Sequence, residues 1–235
     1  MSVKQHSFAE PTALFETLER HVAQHTPPGA LVCMPTGSTP GPLYQRVRDH
    51  AASRELWRTF RYLQLDEYLD APAGTELFRE TLERELLDPL GVPSSQRLTI
   101  PPLGAATPVE EIAATMNQTL VEHGPLDLVI LGLGSNGHIA FNEPGENFAQ
   151  EYHVVRLCET TLRRNFPQQE VHGVHALTIS VPQICAARRV CLVVPQREKQ
   201  EILDQSLSSP ESPQLPASPL QRHPALDVFR VLGNS

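Results

Sequence analysis

Very little in this sequence of 235 residues points to a membrane, a secreted scaffold or a nucleic-acid surface. No apolar run approaches the roughly 18 to 20 residues that cross a bilayer. The opening stretch, MSVKQHSFAE, has no apolar segment of the secretory kind. Cysteine is scarce: Cys33, Cys158, Cys185 and Cys191 form no CxxC pair and no zinc-ligand spacing. Three of them stand in or beside apolar stretches, so the expectation is free, mostly buried thiols in a reducing cytoplasm. Positive charge is short as well. Lys and Arg number 19 against 27 Asp and Glu, a formal net charge of −8. That balance repels polyanions and anionic bilayers, which excludes a general nucleic-acid or membrane-surface binder. An anionic small molecule is still allowed, because a few local cations and backbone N–H groups suffice to hold one.

What is present suits a globular protein with a sizeable core. Hydrophobic residues make up 40% of the chain, and its length allows one sizeable domain, read as 1–235. Short apolar runs at 30–35, 60–66, 126–132, 175–180, 189–195 and 226–232 read as strands. Amphipathic stretches at about 10–25, 41–53, 76–88, 108–123 and 196–207 read as helices. Such alternation predicts an α/β fold, a Rossmann-like three-layer α/β/α sandwich around a mostly parallel sheet. SLSSPESPQLPASP (206–219), dense in serine and proline, reads as a surface loop.

Ligands of open α/β sheets bind outside the carboxyl ends of the strands, and three strand ends carry chemistry here. MPTGSTPGPLY (34–44) runs from a strand through a Gly/Ser/Thr turn into a helix. Its backbone N–H groups, with the hydroxyls of Thr36, Ser38 and Thr39 around Gly37, suit a phosphate; a capped turn without ligand uses the same residue types. LQLDEYLD (63–70) ends a strand on Asp66 and Glu67, either a general base or a helix cap. LGLGSNGHIAFNEPG (131–145) places His138, an acid/base near neutral pH, among four glycines. Glu143 is positioned to orient its ring, and Asn136 to orient the ring or a water. HGVH (172–175) has no acidic or thiolate partner nearby in sequence, and no metal is expected.

Taken together, PTGSTP, LDEY and GLGSNGHIAFNEPG, with ALTISVPQI (176–184) and LPASPLQRHPALDVF (215–229), closely resemble the glucosamine-6-phosphate deaminase (isomerase) family. The resemblance implies conversion of glucosamine 6-phosphate to fructose 6-phosphate and ammonia, with no metal and no organic cofactor. It implies that Asp66 moves the proton from C2 toward C1 of the open-chain sugar. His138 would shuttle the ring-oxygen proton, with Glu143 as its charge-relay partner. Asn136 falls where some members carry aspartate. Phosphate contacts would come from Thr36–Thr39, Arg164 and Lys199, with Arg163 and Arg197 as alternatives.

Two departures bear on function. APAGTELFRE (71–80) replaces the family's usual Ser-Tyr opening of the next helix, which leaves the configuration at C4 of the sugar open between glucosamine and galactosamine 6-phosphates. QEYHVVRL (150–157) lacks the basic residues with which hexameric members hold an N-acetylated sugar-phosphate activator. The expectation is therefore an unactivated monomer or small homo-oligomer. 6-Phosphogluconolactonases of related fold typically carry DER and GHTASLFP, which this chain does not. A non-catalytic sugar-phosphate sensor is the remaining alternative.

Overall fold

The computed structural model describes residues 3–37, 39–101, 108–145, 147–167 and 170–232. In chain order its strands are β1 (Lys4–Phe8), β2 (Leu31–Met34), β3 (Arg61–Gln64), β4 (Asp66–Tyr68), β5 (Arg97–Leu98), β6 (Leu128–Leu131), β7 (His153–Arg156), β8 (His175–Thr178), β9 (Val190–Val194) and β10 (Leu226–Val231). The helices are α1 (Pro11–His25), α2 (Gly41–Asp49), α3 (Ala51–Trp57), α4 (Phe78–Leu82), α5 (Asp88–Leu90), α6 (Val109–His123), α7 (Glu159–Asn165), α8 (Val181–Cys185) and α9 (Gln200–Ser208).

Seven strands form a parallel sheet in the order β1-β10-β9-β6-β2-β3-β5. Its central strands are apolar throughout, because both faces are covered. Alternate residues of β6 go to opposite cores. Leu128 and Ile130 pack with Leu14, Leu18 and Val22 of α1 and with Trp57, whereas Val129 and Leu131 pack with Ile112 and Met116 of α6. Helices on both faces of a parallel sheet make the expected three-layer sandwich. A smaller antiparallel sheet, β4-β8-β7, adds to it.

The topology fixes where a ligand binds. From β2 the chain moves outward through β3 to β5, then returns to the other side of β2 with β6 and continues to β9 and β10. The strand order thus reverses between β2 and β6, and the crevice at their carboxyl ends is the switch point. The loops that leave those two strands are the Thr/Gly turn at 35–39 and the glycine-rich stretch at 132–145.

Several elements differ from the sequence reading. The helix expected at 41–53 breaks at His50, whose backbone is extended. There the buried Glu19 gathers Arg46 Nε (2.9 Å), His50 Nδ1 (2.7 Å) and Ser53 Oγ (2.6 Å), a network that needs the bend. The helix expected at 76–88 has a π turn, Glu83–Leu87, where Arg48 donates to the Glu85 carbonyl. β1 is too polar to read as a strand and is held as an edge through β10 alone. Residues 206–219 are only partly a surface loop. α9 extends to Ser208, and Leu215, Pro216, Ala217 and Ser218 are buried, for a reason that the active cleft makes plain.

Candidate active site

A cleft of about 370 Å³ opens at the switch point. Thr36, Gly37, Thr39, Asp66, His138, Arg164 and Lys199 all line it. Ser38 lies outside the described residues.

β4 delivers the two adjacent acids to different tasks. Glu67 turns into the protein, where its carboxylate accepts from the backbone N–H groups of Tyr68 (2.9 Å), Phe78 (3.0 Å) and Arg79 (2.8 Å) and from Gln64 Nε2 (3.0 Å). It is the anchor of the α4 N-terminus, where a carboxylate is favoured. Asp66 is only 5% exposed, lines the cleft, and accepts no hydrogen bond on its carboxylate among the described residues. Burial, and then the nearby Glu67, hold its carboxyl well above the usual carboxylate range.

The loop after β6 builds the second group. Phe141 N–H donates to Thr178 Oγ1 (3.1 Å), and Asn142 Nδ2 donates to the carbonyls of Ile139 (3.0 Å) and Ile179 (2.8 Å), which fastens the loop to the β8 end. His138 Nδ1 stands 3.6 Å from Glu143 Oε2, an ion-pair distance longer than a hydrogen bond. Asn136 serves both neighbours: its Nδ2 donates to Glu143 Oε2 (2.8 Å), and its Oδ1 accepts from His138 N–H (3.2 Å). Thr161 Oγ1 donates to Glu143 Oε1, and the Cys158 thiol to Oε2 at 3.3 Å. Burial pushes the Glu143 carboxyl up, but His138 and the hydrogen bonds from Thr161 and Asn136 more than reverse this and hold it at about 2. Glu143 and Asn136 stand behind the cleft wall rather than in it.

Several contacts here had no signal in local sequence. A Cβ on Gly134 would lie 2.4 Å from the His138 ring, so the imidazole rests directly on glycine backbone. Gly137, at φ +83°, a conformation that side chains rarely adopt, packs against Leu215, and its carbonyl accepts from Ala217 N–H (3.0 Å). Gly145 N–H donates to the Pro213 carbonyl (3.0 Å). The serine- and proline-rich segment is thus the support under the glycine-rich loop.

The cations separate by helix face. On α7, Arg164 shares the cleft side with Thr160 and Thr161, four and three residues before it, while Arg163 pairs outward with Glu159 (3.0 Å) and is 82% exposed. Lys199 ends the turn after β9 and donates to the Leu133 carbonyl. Arg197 instead reaches the Ala9 carbonyl at 3.1 Å. Burial, and then the Arg164 charge, lower the Lys199 ammonium to about 8. The buried Lys199 ammonium and the exposed Arg164 guanidinium converge on one cleft, and two like charges there favour an anion between them. Among the described residues, the His/Cys/Asp/Glu trio close enough to hold a metal is His6, His21 and Asp227, none of which lines the cleft.

The family model for glucosamine-6-phosphate isomerases and 6-phosphogluconolactonases matches residues 8–228. The chain belongs to this family. It is 32% identical over 223 residues to a glucosamine-6-phosphate deaminase of Shouchella clausii, covering 92% of this chain and 86% of that one. A glucosamine-6-phosphate deaminase of Streptomyces coelicolor is 35% identical over 207 residues, 86% of this chain and 78% of its own. Among solved structures, a monomeric glucosamine-6-phosphate deaminase superposes with a TM-score of 0.87 at 26% identity, over 97% of each chain. A 6-phosphogluconolactonase of Trypanosoma brucei superposes at 0.75 with 20% identity, a likeness of fold.

Proposed function

We propose that the chain is a glucosamine-6-phosphate deaminase: glucosamine 6-phosphate and water give fructose 6-phosphate and ammonia. The observation that carries this is one cleft lined by a raised acid, Asp66, by His138 with the ionised Glu143 behind it, and by two converging cations, Arg164 and Lys199. Thr36, Gly37, Thr39, Arg164 and Lys199 hold the phosphate, and that remote binding places the reacting carbons. His138, steadied by the ionised Glu143 and by Asn136, moves a proton at the ring oxygen so that the sugar opens. The C2 proton then becomes acidic beside the C1 carbonyl. Asp66 removes it and returns it at C1, so that the enolamine becomes a ketimine, which water hydrolyses to the ketone and ammonia. The enzyme works in the cytoplasm, as a monomer or small homo-oligomer.

A second reading, a galactosamine 6-phosphate substrate, rests on the 71–80 departure, which puts Phe78 in the cleft wall against Tyr68 and Phe141. Ammonia release measured on the glucosamine and galactosamine compounds separately decides between them. Rapid release from the first alone is expected. Release from the second alone would transfer the assignment, and none from either would withdraw it.

Lys199 supplies a pH test. Its protonated form holds the phosphate and is lost as the pH rises through about 8. Affinity for fructose 6-phosphate, which has no amine to titrate, should weaken up to about ten-fold between pH 7 and 9. Lys199→Arg, permanently charged, should flatten the profile. A flat profile in the parent would count against Lys199 as the phosphate cation.

A further inference from the structure

Three side chains from three elements meet apart from the cleft. His6 lies in the edge strand β1, His21 on α1 and Asp227 in β10. Asp227 is buried, with Oδ1 3.0 Å from His6 Nε2 and Oδ2 3.2 Å from His21 Nε2. The carboxylate thus spans the two imidazoles, one oxygen toward each. Both rings are held by packing: His6 stacks on Phe229 (4.6 Å, 15°), and His21 stacks on His25 (4.2 Å, 28°).

Hydrogen bonding explains only part of this. His6 Nε2 bonds Oδ1, and Arg189 Nη1 donates to Oδ2 at 2.6 Å. His21 Nε2 is buried and makes no hydrogen bond among the described residues, although it lies 3.2 Å from the same carboxylate. A buried imidazole nitrogen without a partner is costly, and a ligand that accepts its lone pair removes the cost.

We propose that His6, His21 and Asp227 bind one divalent transition-metal ion of the zinc class, which clamps β1 and α1 onto β10. Two imidazoles and a carboxylate are borderline donors, suited to zinc, whereas magnesium and calcium ask for more oxygen. Ligands at roughly 2.0 to 2.2 Å around a tetrahedral ion stand a little over 3 Å apart, and each imidazole lies at about that distance from one carboxylate oxygen, His6 Nε2 3.0 Å from Oδ1 and His21 Nε2 3.2 Å from Oδ2. All three donor atoms lie within 4.8 Å of one another. Water takes the fourth position. Arg189 keeps a lone pair of Oδ2 and orients the carboxylate as outer hydrogen-bond partners do, while its charge moderates the affinity. The site is independent of the sugar-phosphate cleft, and its role is to fasten an edge strand too polar to hold itself.

The full chain, stripped with a chelator, is titrated with Zn²⁺ by calorimetry and with Co²⁺ by visible absorption. One equivalent should bind, Co²⁺ should give the intense bands of a four-coordinate ion, and Zn²⁺ at about 100 times its Kd should raise the Tm by roughly 5 to 10 °C. His21→Asn and His6→Asn should each weaken binding at least ten-fold and abolish the bands; if one variant does not fold, the other decides. The exposed His172 and His175 provide the control, since replacing both should leave the stoichiometry unchanged. Failure to bind one equivalent, binding that survives both cluster variants, or binding lost only with His172 and His175 would overturn the proposal.

Discussion

Asp66→Asn is expected to cut ammonia release by about 10² to 10⁴-fold while sugar-phosphate binding persists. The side chain keeps its shape and loses only the ability to take a proton from carbon. The two acids of the LDEY stretch make this a sharp test, because only Asp66 faces the cleft and Glu67 is spent on the α4 N-terminus. Stability and activity should move in opposite directions. Burial, and then Glu67, raise the Asp66 carboxyl, so the folded chain keeps a proton that the unfolded chain has released. Stability therefore falls as the pH rises from the ordinary carboxylate value to the raised one, and above both the full cost is present. Asparagine carries no charge to bury, so at neutral pH the variant should melt no lower than its parent. Activity needs the carboxylate, so kcat/KM of the parent should fall as the pH is lowered, with its acid limb above the ordinary carboxylate range. A variant that melts normally and keeps most of its turnover would remove Asp66 from the mechanism.

The site was legible wherever chemistry and chain direction coincide. Thr36, Gly37, Thr39, Asp66 and His138 follow apolar strands directly, and strands of a parallel sheet deliver their carboxyl ends to one edge. Arg164 and Lys199 were harder, since each has a basic neighbour two residues away or less, and only helix face or turn geometry separates them. The division of labour between Asp66 and Glu67 was legible only through the family resemblance, because its physical cause lies in where residues 78 and 79 arrive. β1 was missed because its residues are polar, and its stability comes from a partner more than two hundred residues away. The misread support at 213–217 has the same origin: composition reports that a segment is irregular, not what it lies under.

That support and the glycines above it carry the second large effect. Gly134→Ala should lower turnover by at least about 10²-fold with phosphate affinity kept. The added methyl would lie 2.4 Å from His138 Cε1 and Nδ1, closer than any real contact. The ring must then swing away, because Gly134 N–H is tied to the His138 carbonyl at 2.8 Å and the loop is fastened to the β8 end. Swinging breaks its 3.6 Å approach to Glu143, which stays ionised but loses the group it steadies. The loss should resemble that of His138→Gln, and the double variant should be scarcely worse than either alone, since both disable one unit. Losses that multiply would mean that Gly134 acts otherwise than through the ring. Near-parental turnover in Gly134→Ala would mean that ring opening tolerates a displaced imidazole, and His138 would then lose its place as the proton carrier at the ring oxygen.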